Sequence, residues 1–152
     1  MKPVTRPPVV RPIVDADFAQ WLPLWIGYNT FYKRTLPNEV TRKTWARFLD
    51  PGEPMHALVA ERAGQLLGFA HYLFHRSTIH IELICYLQDL FTVESARGQG
   101  IGRALIEAVA ARARAAGAAR VYWLTHETNH AARQLYDKVA SNSGFIVYRR
   151  QL

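Results

Sequence analysis

Apolar positions along this chain follow two rhythms, one helical and one alternating, and the switches between them outline the elements. From Phe18, aromatic residues recur at Trp21, Trp25, Tyr28 and Phe31, spacings of three and four that put them on one helix face. Asp15 stands as the N-cap of that helix, and Pro23 falls in its first turns or at a kink. Val9 to Pro12 reads as a short strand before it. Pro37 heads a second helix, Asn38 to Leu49, ended by Asp50-Pro51-Gly52. His56 to Glu61 and Leu66 to Phe74 then read as an antiparallel hairpin turning at Arg62-Ala63-Gly64-Gln65, and Ile79 to Val93 supplies more strand.

The helical rhythm returns over Gly100 to Ala116, where Ile101, Leu105, Ala108 and Val109 form an apolar stripe and Gly117 is the natural stop. Val121 to Thr125 follows as a buried strand, His130 to Val139 as a last helix and Phe145 to Arg149 as a last strand. This order predicts an α/β sheet with helices on both faces.

Composition narrows the setting. The 152 residues, 49% of them hydrophobic, suit one packed domain over 9–152. Residues 1–8 read as a short extended arm without the apolar stretch of a signal peptide. No run approaches the roughly 20 apolar residues of a membrane span. The single cysteine, Cys85, excludes an internal disulfide and agrees with a reducing compartment, so a soluble cytoplasmic protein is expected. A formal net charge of +7 invites a nucleic-acid reading, but the arginines are dispersed and no nucleic-acid motif accompanies them.

The candidate chemistry lies where Leu87-Gln88-Asp89-Leu90-Phe91-Thr92-Val93 runs into Arg97-Gly98-Gln99-Gly100-Ile101-Gly102 and then into a helix. A glycine turn at a helix start presents unpaired N–H groups and a positive dipole end to a diphosphate. No Lys follows the glycines as a P-loop requires, and Arg103 stands where a dinucleotide fingerprint needs its third glycine. The pattern left is Arg-x-x-Gly-x-Gly.

Arg97, Gly100 and Gly102 after a Leu-x-Asp-Leu-Phe-x-Val strand resemble the acetyl-CoA site of the GCN5-related N-acetyltransferase superfamily. The likeness continues through Val121-Tyr122-Trp123-Leu124-Thr125, Asn129 and Leu135-Tyr136-Asp137-Lys138-Val139, and these elements look most like the histone and polyamine acetyltransferase branch. It implies a mixed, mostly antiparallel sheet splayed between its fourth and fifth strands. It also implies acetyl-CoA as cofactor, its pyrophosphate held by backbone N–H groups of Gly98, Gln99, Gly100, Ile101, Gly102 and Arg103, with the Arg103 side chain a further contact. The pantetheine arm would lie along Leu90, Phe91, Thr92 and Val93 at a bulge, and an N–H near Leu90 or Phe91 would face the thioester oxygen. Tyr136 matches the family's general acid, and Asn129 either contacts the pantetheine arm or caps the last helix.

The base departs from the pattern. Polyamine-acetylating relatives carry a glutamate where this chain has Gln88. Asp89, Glu82, Glu127 or a water wire are substitutes, although strand alternation sends Asp89 to the face opposite Gln88. Glu127 and His126 lie just beyond the fifth strand, near the expected opening. The catalytic set is then Tyr136, Glu127 and the backbone of Leu90. No third ligand joins His126 and His130, so no metal is expected.

Gln88 with Trp25, Tyr28 and Tyr32, and Phe31 beside them, would form an acceptor wall or simply core, and Glu39 and Glu53 are amine anchors in outline. The implied activity is direct acetyl transfer, in a ternary complex, to a primary amine of a small molecule, polyamine or protein lysine. A CoA-binding sensor without turnover, suggested by Gln88, and a basic nucleic-acid module are the other readings. A homodimer paired through Phe145 to Tyr148 is expected, as in relatives of this branch.

Overall fold

A computed structural model describes residues 6–152; of the expected N-terminal arm, residues 1–5 lie outside the described residues. Five strands form one sheet in chain order: β1 (Val9–Pro12), β2 (Met55–Arg62), β3 (Gln65–His75), β4 (Ile84–Thr92) and β5 (Arg120–Tyr122). Neighbours are antiparallel except β4 and β5, which are parallel. The β2–β3 hairpin turns through Ala63 at φ +50° and Gly64 at φ +77°. Two successive left-handed residues match the twist of a two-residue hairpin, which explains the small residue and the glycine.

Alternation along β2 divides the core. Leu58 and Ala60 pack with Leu105 and Val109 of α3 (Ile101–Ala115), whereas Ala57 and Val59 pack under α1 (Phe18–Phe31) and α2 (Asn38–Leu49). The aromatic face of α1 fills the second layer, with Trp21 stacked on Trp25 at 5.6 Å and tilted against Trp45 at 4.9 Å. α4 (His130–Val139) places Leu135, Tyr136 and Val139 against the α3 layer. α3 ends as its glycine requires: Gly117 is at φ +75°, and the Ala118 N–H reaches back to the Ala113 carbonyl at 2.9 Å. Among the described residues no helix is long and apolar enough to cross a membrane.

Four expectations change. Asp15 does not cap α1. A 3-10 turn, Asp15–Asp17, precedes it, and Asp17 is the buried carboxylate, accepting the Val14 N–H and two bonds from Arg11 at 2.8 and 2.9 Å. That guanidinium holds the Asp17 carboxyl below the usual carboxylate range. Residues 79–83 are not strand, because β3 ends at His75 opposite Ile84 and leaves them no partner; Ile79 and Ile81 are exposed. β5 stops at Tyr122 and is only half-buried, since it parts from β4 there. Phe145 to Arg149 is not a strand within the chain: no neighbouring strand of this sheet reaches it, and Phe145 and Tyr148 are 90% and 89% exposed.

Gly68 fixes how closely α3 seats. A Cβ there would lie 2.5 Å from the Phe91 carbonyl oxygen and 3.2 Å from Ile101 Cγ2. Gly68→Ala is therefore expected to cost about 1–3 kcal/mol, read as a lower denaturant midpoint; an unchanged midpoint would mean the strand and helix yield freely there.

Candidate active site

The site grows from two irregularities in β4. β4 pairs with β5 only through Ile84, Cys85 and Tyr86, yet runs on to Thr92, so the strands part and leave a gap. In that stretch the β5-facing backbone groups of β4 have no partner in the sheet. On the other side, His71 pairs with Asp89 and Tyr72 with Leu87, so Gln88 is the extra residue of a bulge. Its consequence is visible in packing: Leu87 and Leu90, three residues apart, both join the α3 layer. Alternation counted through Gln88 therefore misplaces Asp89. It lies on the α1 side with Tyr28 and His71, while Gln88 itself is exposed.

The lower end of the gap is closed by the glycine turn. Gly98 and Gly100 are at φ +76° and +81°, and a Cβ on either would meet nothing within 4 Å, so conformation rather than crowding demands glycine. Gly100 is the N-cap of α3, and no side chain caps the helix among the described residues. The first-turn N–H groups thus converge on open space with the dipole behind them, a donor set that fits a diphosphate. Around it, Arg97 Nε reaches the Thr92 carbonyl at 3.4 Å, and Gln99 is turned aside, accepting from Arg62 at 2.7 Å. Arg103 is exposed on the first turn. Gly102 lets α4 approach: a Cβ there would touch Leu135 Cδ2 at 3.4 Å. Leu90 and Val93, half-buried, and Ile101, buried, pack in the α3 layer and half-buried Phe91 in the α1 layer, so their side chains are turned to core and their backbone is what they offer a ligand.

The upper wall is a chain of buried polar contacts. Tyr28 donates its hydroxyl to Asp89 Oδ1 at 2.8 Å, and His71 Nδ1 lies 2.9 Å from Asp89 Oδ2. The Trp21 indole N–H donates to His71 Nε2 at 3.1 Å. An indole only donates, so Nε2 carries no proton; the imidazole is neutral and gives its Nδ1–H to the carboxylate. Asp89 is thereby held by two donors, its side chain 12% exposed. Burial and the adjacent carboxylate push the Tyr28 phenol well above its ordinary value, so it remains a donor.

Tyr32 packs edge-on to Tyr28 at 5.0 Å and lies 5.7 Å from His126. Trp25, by contrast, is core, stacked on Tyr28 and donating to Thr41 at 3.3 Å. Phe31 is exposed.

Tyr136 closes the third side from α4. Its ring lies 5.4 Å from Trp123, and burial, with Tyr32 nearby, pushes its phenol up to about 12. Asn129 makes no side-chain cap to α4; its amide donates to Thr125 Oγ1 at 3.2 Å. Glu127 is exposed, with its carbonyl accepting from Arg133 at 2.7 Å. Sequence reasoning passed over His71 and Trp21. A histidine at an inward position of an otherwise apolar strand is the signal that points to such a contact.

Comparison with known proteins agrees with this geometry. The family model of the acetyltransferase (GNAT) family matches residues 19–140. The chain is 42% identical over 144 residues to the D-amino-acid N-acetyltransferase HPA3 of Saccharomyces cerevisiae, covering 93% of this chain and 89% of that protein. It is 29% identical to the uncharacterized N-acetyltransferase YhfO of Bacillus subtilis, over 91% of this chain and 94% of that one. The aminoglycoside N-acetyltransferase AAC(6')-Iy in complex with CoA superimposes with a TM-score of 0.83 at 15% identity, covering 99% of this chain and 98% of that one. The chain belongs to the GNAT acetyltransferase family and is an N-acetyltransferase that takes its acetyl group from acetyl-CoA.

Proposed function

We propose that this enzyme acetylates the α-amine of a free amino acid, directly and within a ternary complex. The observation that carries the reading is the Asp89 carboxylate, fixed by Tyr28 and His71 on β4 beyond the point where β5 parts from it, with Tyr136 of α4 near Tyr32, the ring that packs on Tyr28. The relative named as a D-amino-acid N-acetyltransferase supports the acceptor class.

Acetyl-CoA supplies an acyl group on a sulfur leaving group. The N–H groups of residues 98–103 hold its diphosphate, and a β4 amide at Leu90 or Phe91 donates to the carbonyl oxygen as negative charge gathers there. The α-amine of a free amino acid is mostly protonated at pH 7, so it must shed a proton before its nitrogen can attack. Asp89 accepts its proton, directly or through one water, as nitrogen bonds to the acyl carbon. Tyr136 donates its phenolic proton to sulfur as the C–S bond breaks, and solvent exchange restores both groups. Direct transfer is favoured because the one cysteine, Cys85, is fully buried in the α3 layer with its thiol pushed up to about 11.

The test is acetyl-CoA with amino acids, spermidine and a lysine peptide, read as N-acetyl product by mass. Amino acids should be the best acceptors; product from spermidine or the peptide alone would overturn the acceptor class. Gly100→Trp, which projects an indole into the diphosphate space, should weaken acetyl-CoA binding at least 100-fold and abolish the thermal stabilisation the ligand confers. Normal binding would move the cofactor site elsewhere.

The same reading includes a homodimer. Residues 145–148, Phe-Ile-Val-Tyr, are exposed, and the last strand of the sheet, β5, is an edge. We infer that they add as a strand to a second copy. Light scattering should give a dimer for the full chain and a monomer for Ile146→Asp; a monomeric wild type contradicts the pairing.

A further inference from the structure

We propose that Arg34 is the anchor for the acceptor's carboxylate, making it the residue that selects amino acids over other amines. The inference rests on the acetyl-transfer reading above and names the group that recognises its substrate.

Arg34 is exposed, yet it is held in one pose. α1 ends at Phe31, and Lys33, at φ +56°, turns the chain back; the Arg34 N–H then donates to the Asn29 carbonyl at 2.9 Å. A left-handed conformation at a lysine is unusual and costs about 1 kcal/mol, so the turn persists because its surroundings fix it. Arg34 Nε donates to Asn29 Oδ1 at 3.1 Å. Asn29 is itself buried, and its amide donates to the Trp25 carbonyl at 2.9 Å. A buried asparagine is thus oriented from below so that its oxygen grips one edge of the guanidinium. The guanidinium carbon lies 5.6 Å from the Tyr28 ring centre and 5.2 Å from that of Tyr32, within cation–π range of both.

This arrangement spends one of the five guanidinium N–H groups and leaves both terminal nitrogens free of protein acceptors among the described residues. Nor has Arg34 a carboxylate partner among them; the ion pairs of the described residues involve Arg11, Arg47 and His71. A fixed fork with its two outer nitrogens unused matches a carboxylate's two oxygens.

Position supplies the rest. One tyrosine, Tyr28, has the guanidinium near its ring and the Asp89 carboxylate at its hydroxyl. A cation and a carboxylate separated by a single ring are complementary to a zwitterion. The carboxylate of an α-amino acid turns to Arg34, and its ammonium, one carbon away, turns to Asp89, the group that takes the proton. The side chain is left facing Tyr32 and His126, which lie 5.7 Å apart at the mouth. Arg34 follows the C-terminal end of α1 beside Tyr28, the residue that bonds Asp89, whereas the diphosphate turn stands at the start of α3, so Arg34 is assigned to acceptor and not to cofactor.

The plainest competing role is that Arg34 only closes the end of α1 through Asn29. A substrate-pair experiment separates the two: phenylalanine and phenylalaninamide, each as both enantiomers, and phenethylamine as acceptors for wild type, Arg34→Gln and Arg34→Lys. Wild type should favour phenylalanine over phenylalaninamide by about 10- to 100-fold in kcat/KM, although the amide's less basic amine is more often neutral. In Arg34→Gln that preference should collapse, with the loss appearing mainly as a raised KM for phenylalanine; Arg34→Lys should recover part of it. Acetyl-CoA binding, followed by thermal shift, should be unchanged in both variants.

Equal losses on acid and amide in Arg34→Gln would make Arg34 merely structural and overturn the inference. So would a wild type that acetylates amines with no preference for a carboxylate, even though the acetyl-transfer reading would then stand. Acetylation of none of these acceptors, with acetyl-CoA bound, would overturn the amino-acid reading itself and the inference with it.

Discussion

Tyr136→Phe is expected to lower kcat by about 100-fold or more while leaving acetyl-CoA affinity within about twofold. The magnitude is that of a positioned proton donor, and the separation follows from where the ring sits. Tyr136 packs on Trp123 from α4, a contact a phenylalanine retains, whereas the diphosphate turn is built from backbone on α3. With its phenol pushed up to about 12, Tyr136 keeps its proton throughout the working range, as the proposed donation to the departing sulfur requires. The sign matters for pH: a raised pKa places loss of the acid form at alkaline pH. The wild-type rate should rise as the amine loses its proton and show no decline from Tyr136 below about pH 10. A falling limb near neutrality, abolished in Tyr136→Phe, would contradict the environment described.

Asp89→Asn should be the more damaging change, lowering kcat/KM by about 100- to 10,000-fold near pH 7. The carboxylate serves two protein donors and, in the proposed mechanism, the incoming amine, and an amide has one acceptor oxygen to offer. Either Tyr28 or His71 is then left facing an N–H, so stability should also fall by about 1–3 kcal/mol. A stability loss alone does not identify a base, so the discriminating readout is the pH profile. In Asp89→Asn the residual rate should climb about tenfold per pH unit as solvent performs the deprotonation, approaching wild type at alkaline pH. A profile of wild-type shape, merely scaled down, would make Asp89 a structural carboxylate and return Glu127 to consideration.

What the sequence made legible was carried by strong local signals. The three-and-four spacing of Phe18, Trp21, Trp25 and Tyr28 located α1, and Ala63-Gly64 located the hairpin. The Arg-x-x-Gly-x-Gly turn located the start of α3, because positive φ at Gly98 and Gly100 is a demand that few residues meet. The misses share a different physics. The bulge at Gln88 depends on which β3 residue faces which β4 residue, and that pairing leaves no mark in β4's own pattern. Counting alternation through it turned Asp89 away from the α1 face it occupies.

Ile79 and Ile81 alternate with polar neighbours as a strand would, but periodicity cannot supply a partner strand. Phe145 to Tyr148 failed within the chain for the same reason. Asn29 and Arg34 meet because Lys33 adopts a left-handed conformation at a helix end, and nothing in the lysine announces it.

The most direct test of acetyl transfer within a ternary complex is rapid-mixing measurement of free thiol. Enzyme and acetyl-CoA at comparable concentrations are followed with and without phenylalanine. Direct transfer predicts no burst of thiol from acetyl-CoA alone, and release that begins at once, matched by N-acetylphenylalanine, when the amino acid is present. A burst equal to the enzyme concentration without acceptor would mean an acetylated enzyme, and would contradict the account.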